Sequence, residues 1–427
     1  MITSSHWRGR RYAVLGLART GAATVRALVA GGAQVVAWDG DPARREGFEG
    51  VEIADLDGTD LFGFDALVVS PGVPLNTHPL AAKARAAGVA ITGDIELFAE
   101  ARADLPPHKV VGITGTNGKS TTTALVAHIL KTAGVPALMG GNIGLPILAQ
   151  APLPAGGVYV LELSSYQIDL TQSLDCDVAV LLNVTPDHLD RYDGFAGYAA
   201  SKARLFAMQS PTHEAVIGIG DAPSADIARS LSARAEHLTK IAPGVCLDQS
   251  RWPSLQGPHN AQNALAAIAV AKALGIGEAD IERALETFAG LPHRMEKVGE
   301  VAGVAYVDDS KATNPESTAP ALGAFPRVHW IVGGRAKGDD LDACRPYFGH
   351  VVRAYTIGEA GPRFAAILKQ AMPVEEAGTL AAAVSGAAKA AQPGEVVLLS
   401  PAAASFDQFR DYEHRGQAFR DAVGALA

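Results

Sequence analysis

KVVGITGTNGKSTTT, residues 109–123, continues into ALVAHILKTAG at 124–134. The β-branched run predicts a strand, GTNG at 115–118 a tight turn, and the Ala/Leu-rich continuation a helix. A strand, a Gly-rich turn, Lys and hydroxyl residues at a helix start together form a cradle for nucleotide phosphates. Backbone N–H groups of Gly115, Thr116, Asn117 and Gly118 and the helix N-terminus face the anion, Lys119 adds a point charge, and Ser120 or Thr121 offers a hydroxyl to Mg²⁺. The chain is therefore expected to handle a nucleoside triphosphate. The strict G-x-x-x-x-G-K-[ST] pattern would need Gly at 113, where Ile113 stands, and the turn glycine is Gly115. This loop is a variant.

At 427 residues the chain exceeds the roughly 250–300 that one core supports, so two or three domains are expected. A hydrophobic content of 48% against 19% charged residues excludes a disordered polypeptide. The net charge of −9 argues against a nucleic-acid or anionic-membrane surface, either of which needs a basic stripe. Cys176, Cys246 and Cys344 lie far apart without metal-ligand or redox spacing, which fits reduced thiols. The N-terminus MITSSHWRGRR lacks an apolar signal core, and no run of about 18 uncharged apolar residues occurs. A cytoplasmic protein without integral membrane association is expected.

Along the chain, β-branched runs alternate with Ala-rich helical segments, the pattern of parallel sheets covered by helices. RYAVLGL, QVVAWD, DALVVS and GVAIT give a small doubly wound domain over residues 1–104, and ADLPPHK reads as a linker. VYVLELSS, VAVLLNV, EAVIGIG and the helices around HNAQNALAAIAVAKALG and ADIERALETFAG complete a central domain, 105–292. The pattern restarts in VAGVAYVDDS, VHWIVGG, VVRAYTIG and EVVLLS, a third domain over 293–427. The fold class is α/β in three domains.

GLARTG at 16–21, with Asp39 ending the next strand, resembles a dinucleotide fingerprint, but Ala18 occupies the position where backbone must approach a pyrophosphate. A nicotinamide site is disfavoured, and a turn for another phosphate-bearing ligand remains. In the central domain, Glu162 follows VYVL and suits a Mg²⁺ ligand beside the phosphate loop. His188 and Asp190 stand in NVTPDHLDRY, where an imidazole can ligate metal or orient a reacting group. Lys202 in YAASKARLF reads, taken alone, as a solvated helix lysine.

SPGV at 70–73, GDIELF at 93–98, GTNGKST, GNIG at 141–144, LELSSYQ at 161–167, NVTPDHLDRY, HNAQNALAA at 259–267, HR at 293–294, DDSKATNP at 308–315 and LLSPAAASFDQF at 398–409 occur in one order across all three domains. With them the chain resembles the Mur ligases, and GDIELF with SPAAASFDQF points to the glutamate-adding branch. The resemblance implies Rossmann-like first and third domains around a central P-loop ATPase-type domain. It implies an ADP-forming ligase of peptidoglycan synthesis, and so of cell-wall biogenesis, cell shape and division. ATP would phosphorylate the alanyl carboxylate of UDP-N-acetylmuramoyl-L-alanine, and the amine of glutamate would displace the phosphate.

The resemblance further implies that Lys119 with Ser120 or Thr121 holds the β- and γ-phosphates and one Mg²⁺, which Glu162 also ligates. A second Mg²⁺ would have His188 among its ligands. Lys202 matches a lysine that is carbamylated in this family, whose carbamate can serve a metal as a carboxylate does. Asn260 and His293 resemble adenine contacts, Asn263 and Arg294 phosphate contacts, and Asp309 a ribose contact. Lys311, Thr313, Lys337, Ser405 and Phe406 resemble the pocket for the incoming amino acid. Arg19, Thr20, Asp39, Ser70 and Gly72 resemble the uridine-diphosphate site, with Asn142, Ser164 and His188 also facing that substrate. Arg19 departs from the usual apolar residue there, and Gly40 from a hydroxyl residue. No nucleic-acid partner is implied, and a monomer is expected. Competing readings are a family member adding another amino acid, a folylpolyglutamate synthetase-like ligase, a dehydrogenase and a P-loop switch.

Overall fold

Strands that are apolar on both faces belong in parallel sheets sandwiched by helices, and the buried runs of this chain build two such sheets and a third that is parallel but for one edge strand. The computed structural model describes every residue except 243, 245, 246, 253, 337, 339 and 427. The chain divides into two units, Met1–Val245 with Gln262–Leu285, and Cys246–Ala261 with Glu286–Ala427.

The first sheet contains β1 (Arg11–Leu15), β2 (Gln34–Trp38), β3 (Glu52–Ile53), β4 (Ala66–Val69) and β5 (Ala90–Thr92). They lie parallel in the order β3-β2-β1-β4-β5. Its helices are α1 (Arg19–Ala30), α2 (Pro79–Ala86) and α3 (Asp94–Ala101). The second sheet contains β6 (His108–Thr114), β7 (Ala137–Gly141), β8 (Gly157–Glu162), β9 (Val178–Leu181), β10 (Glu214–Gly218) and β11 (Leu238–Ile241). Its order is β11-β10-β9-β6-β8-β7, again all parallel. Around and beyond it run α4 (Lys119–Thr132), α5 (Ser165–Asp169), α6 (Gly194–Ala207), α7 (Ala222–Ser230), α8 (Pro258–Ala273) and α9 (Glu278–Thr287).

Both sheets belong to the first unit and share one core. Trp7, Leu28 and Phe98 join Tyr159, Leu161 and Ile168 in a single buried cluster, and the Phe98 ring meets the edge of Tyr159 at 5.1 Å. The expected linker before β6 is accordingly short, one 3₁₀ turn at Arg102–Asp104.

The second unit carries β12 (Glu296–Val301), β13 (Val304–Asp308), β14 (Val328–Gly333), β15 (Val351–Ile357), β16 (Val374–Gly378) and β17 (Val396–Leu399). The order is β12-β13-β17-β14-β15-β16, with β12 antiparallel to β13. Helices α10 (Pro315–Gly323), α11 (Gly361–Leu368), α12 (Leu380–Ala390) and α13 (Tyr412–Gly424) complete it. Trp330, Phe364 and Leu398 fill one face of the sheet, Tyr355, Leu399 and Phe419 the other. Among the described residues no helix is long and apolar enough to cross a membrane.

Ligands of open α/β sheets gather beyond the carboxyl ends of the strands. In the first sheet those ends deliver Gly16, Asp39 and Ser70. In the second they deliver Gly115, Glu162 and Leu182, and in the third Asp309, Gly334 and Ser400.

Candidate active site

The loop between β6 and α4 is shaped by two glycines in conformations other residues avoid, Gly115 at φ 151° and Gly118 at φ 85°. A Cβ on Gly118 would sit 2.3 Å from Asn263 Oδ1, so the loop packs against the α8 asparagine that the HNAQN motif singled out. Thr122 Oγ1 donates to the same oxygen at 3.3 Å. The loop is laced to the strand-end segment after β9. Thr116 N–H donates to the Asn183 carbonyl at 2.9 Å, Asn117 N–H to Asn183 Oδ1 at 2.9 Å, and Asn183 Nδ2 returns to the Asn117 carbonyl at 3.1 Å. Lys119 Nζ donates to the carbonyls of Gly115 and Thr116 at 2.9 and 2.8 Å. Ser120 is buried and Thr121 half-buried at the start of α4, where the first helical amides favour an anion.

Glu162 ends β8 beside β6, in register with Ile113. It is buried, and its Oε1 accepts from Asn142 Nδ2 at 3.2 Å. Its Oε2 is a buried oxygen without a hydrogen-bond partner among the described residues. A buried carboxylate oxygen left bare costs free energy, and a hard cation is the group that fits it. Ser164 caps α5, exchanging bonds with Gln167 in a capping box.

His188 is in the left-handed region, at φ 53° and ψ 32°. Its N–H donates to Asp187 Oδ1 at 2.9 Å, and its ring lies 5.2 Å from that of Tyr166. Lys202 is not a solvated helix lysine; it is 1% exposed. Its Nζ donates to the Gly115 carbonyl at 3.0 Å and lies 4.6 Å from the Tyr198 ring centroid. Burial, reinforced by the charge of Lys119, holds its amine well below the usual lysine range. Tyr198, which the sequence did not single out, pairs its hydroxyl with Thr116 Oγ1 at 3.2 Å.

Beyond the first sheet, a cleft of about 650 Å³ is lined by Arg19, Thr20, Asp39, Ser70, Gly72 and Asn142 among others. Six of the eight residues expected at the uridine-diphosphate site thus line one cleft, and Ser164 and His188 are not among its lining residues. Asp39 Oδ2 accepts from Leu17 N–H at 2.6 Å and Oδ1 from Asp41 N–H at 2.8 Å. Burial raises its pKa, but these amides and nearby Arg44 outweigh that and hold it below the usual carboxylate range. With both oxygens engaged by the turn, Asp39 braces the Gly16–Leu17 corner. Arg19 Nη2 donates to the Gly144 carbonyl at 3.0 Å.

In the second unit, Asn260 Nδ2 donates to the Gln256 carbonyl at 3.1 Å. His293 and Met295 are left-handed, at φ 61° and 51°, flanking Arg294, whose N–H donates to the Leu291 carbonyl at 3.3 Å. The His293 ring shares a 2.7 Å hydrogen bond with Asp308, which raises its pKa. Asp309 is buried against Ser400 Oγ at 2.8 Å and Met295 N–H at 3.3 Å, and burial pushes its carboxyl up to about 7. Lys311 lies with Nζ 3.7 Å from the Tyr412 ring centroid. Thr313 is half-buried, Ser405 buried, and Phe406 64% exposed. Lys337 lies outside the described residues. Arg415, which the sequence did not flag, is 1% exposed and ties the two motif loops together. Its Nε and Nη2 donate to Ser310 Oγ and carbonyl at 2.9 and 2.8 Å, and its Nη1 to the Ala403 carbonyl at 3.0 Å. The signal available in the sequence was its spacing, four and eight residues before Phe419 and Val423 on the buried stripe of α13.

Two family descriptions match the chain, Mur ligase middle domain over residues 113–244 and Mur ligase, glutamate ligase domain over 293–403. The UDP-N-acetylmuramoylalanine--D-glutamate ligase of Novosphingobium aromaticivorans is 65% identical, over 100% of this chain and 97% of its own length. That of Sphingopyxis alaskensis is 62% identical over the whole of both chains. The crystal structure of MurF from Acinetobacter baumannii shares the fold with a TM-score of 0.62 at 20% identity, covering 99% of this chain and 92% of that one.

Proposed function

This chain belongs to the Mur ligase family, and we propose that it joins D-glutamate to the alanyl carboxylate of UDP-N-acetylmuramoyl-L-alanine, consuming ATP, in peptidoglycan synthesis. The observation that carries the reading is the meeting of a phosphate loop with the buried Lys202 on the Gly115 carbonyl, beside the bare Glu162 Oε2 at the next strand end.

A substrate carboxylate oxygen bonds to the γ-phosphorus while the bond from that phosphorus to the β–γ bridging oxygen breaks, giving ADP and an acyl phosphate. The neutral amine of glutamate attacks the acyl carbon, the nitrogen loses a proton, and inorganic phosphate leaves with the electron pair. Both steps bring anions together, so fixed cations and amides aimed at the developing charge do most of the work. Lys119 and the amides of 115–121 hold the phosphates, with Asn263 bracing the loop. Ser120, Glu162, His188 and a carbamylated Lys202 would hold two Mg²⁺. Bound Mg²⁺ neutralises charge on the phosphoryl group and on the acceptor carboxylate. The neutral amine of buried Lys202 is the form that adds to carbon dioxide.

Asn260, His293, Arg294 and Asp309 serve the nucleotide in the same reading. Lys311, Thr313, Lys337, Ser405 and Phe406 receive the amino acid, and the cleft from Arg19 to Asn142 receives the uridine diphosphate. Domain limits of 1–104, 105–292 and 293–427 are supported by β5 ending at Thr92, β6 beginning at His108 and β12 at Glu296. The enzyme works as a cytoplasmic monomer on small molecules.

With ATP, Mg²⁺ and UDP-N-acetylmuramoyl-L-alanine, the purified chain is expected to release ADP and form an amide with D-glutamate. L-Glutamate, alanine, lysine and diaminopimelate should leave it idle. ADP formation dependent on one of those instead would overturn the assignment.

A further inference from the structure

The turn that carries His188 is fastened to the loop that lines the first-sheet cleft. A left-handed histidine is held only where its surroundings over-determine it, and the partner that closes this turn is Arg191. Its amide donates to the His188 carbonyl at 3.0 Å. Its Nη2 donates to the Val73 carbonyl at 2.7 Å, and its guanidinium lies 4.3 Å from the centroid of Tyr166, the ring that faces His188. A second bond runs the same way, from Asn76 Nδ2 to the Asp190 carbonyl at 3.0 Å. On the far side, Val73 N–H donates to the Ser70 carbonyl at 3.0 Å and Ser70 Oγ to the Gly16 carbonyl at 2.9 Å. Gly16, Ser70, Gly72 and Val73 all line the cleft.

We propose that Arg191 is a positioning residue that couples the two sites. A uridine diphosphate group settled against 16–20 and 70–73 fixes Val73, and through Arg191 it fixes the 187–191 turn with His188 set for the reaction. The inference rests on reading the cleft as the uridine-diphosphate site. Arginine suits the task because its planar head donates in its plane while its face stacks on a ring, which an ammonium does not do. Such a link makes productive geometry at His188 conditional on the substrate's remote end, so binding energy far from the carboxylate is spent at the reacting centre.

Hydrogen–deuterium exchange of the full chain, with UDP as the probe and EDTA present, tests this without metal or turnover. In the native chain UDP is expected to slow exchange at 16–20, 70–73 and 187–193, the last by about tenfold, within the usual range of site coupling. In Arg191→Met the first two segments stay protected, protection at 187–193 is lost, and kcat falls while KM for ATP is unchanged. Arg191→Lys keeps a donor for Val73 but not the plane on Tyr166, so it shows intermediate protection, and it carries the comparison if the methionine variant does not fold. Protection of 187–193 undiminished in either variant would overturn the coupling. A native chain in which UDP leaves 16–20 and 70–73 unprotected would overturn the cleft assignment, and the coupling with it.

Discussion

Lys119 and Lys202 donate to the same acceptor, the carbonyl oxygen of Gly115, at 2.9 and 3.0 Å. Lys119 reaches the Thr116 carbonyl as well and is half-buried, whereas Lys202 is sealed beneath the loop. Two ammonium groups on one neutral oxygen repel, so burial first and the Lys119 charge second lower the pKa of Lys202. The shared carbonyl thus brings the two lysines together beneath the loop, with the pKa of Lys202 held well below the usual lysine range.

A buried lysine whose pKa is lowered in this way is expected to take up carbon dioxide. Carbon-13 NMR in labelled bicarbonate should show one carbamate resonance in the native chain that is missing from Lys202→Met. An identical spectrum in the two proteins would remove Lys202 from the metal-binding set.

Glu162→Gln replaces a carboxylate oxygen with an amide at the end of β8, where the buried Oε2 lacks a hydrogen-bond partner among the described residues. The shape is kept, so the thermal midpoint should hold, while Mn²⁺ affinity measured by water-proton relaxation falls and kcat drops by about 10²–10³-fold, the scale for losing one electrostatic stabiliser. Unchanged Mn²⁺ binding in a folded variant would contradict the metal assignment.

Gly118→Ala places a Cβ 2.3 Å from Asn263 Oδ1 on a residue at φ 85°. The left-handed backbone alone costs about 1–2 kcal/mol, and the clash pushes the loop away from α8. Denaturant unfolding should show that loss, and KM for ATP should rise by about tenfold, the equivalent of 1.4 kcal/mol. Wild-type KM for ATP would show that the loop's tight fit to Asn263 is unimportant.

Much of this was legible in the sequence. The runs of 110–113, 158–161 and 178–182 are apolar and bounded by glycine or polar residues, so the central parallel sheet and the loops at its carboxyl ends could be placed. Strands β3, β7, β11, β12 and β16 went unread. Glu52–Ile53 is two residues long, ALMGG and LTKI carry no clear period, and EKVGEV and VEEAG are edge strands whose solvent-facing charges resemble loop sequence. Burial of charge was the other blind spot. Lys202 shares a helical stripe with Tyr198 and Leu205, and Arg415 one with Phe419 and Val423, but a long charged side chain at such a position usually snorkels to water, and only the tertiary fold shows it enclosed.

Asp309 should leave a pH signature. Burial lifts its carboxyl from 3.8 to about 7, so between those values the folded chain holds a proton that the unfolded chain has released. Stability from this group is therefore full at the acid end and lost as pH rises through about 7, opposite in sign to a salt-bridged aspartate. Asp309→Asn removes the ionisation, and its urea midpoint should fall less than the native one between pH 5 and 8. Parallel pH profiles would place the carboxyl in its ordinary range.

In the function proposed above, this chain activates a carboxylate by phosphorylating it. UDP-N-acetylmuramoyl-L-alanine labelled with ¹⁸O in the alanyl carboxylate, incubated with ATP, Mg²⁺ and D-glutamate, tests it directly. One ¹⁸O atom is expected in each inorganic phosphate released with the amide. Amide formation accompanied by unlabelled phosphate, or phosphate release with no amide, would contradict it.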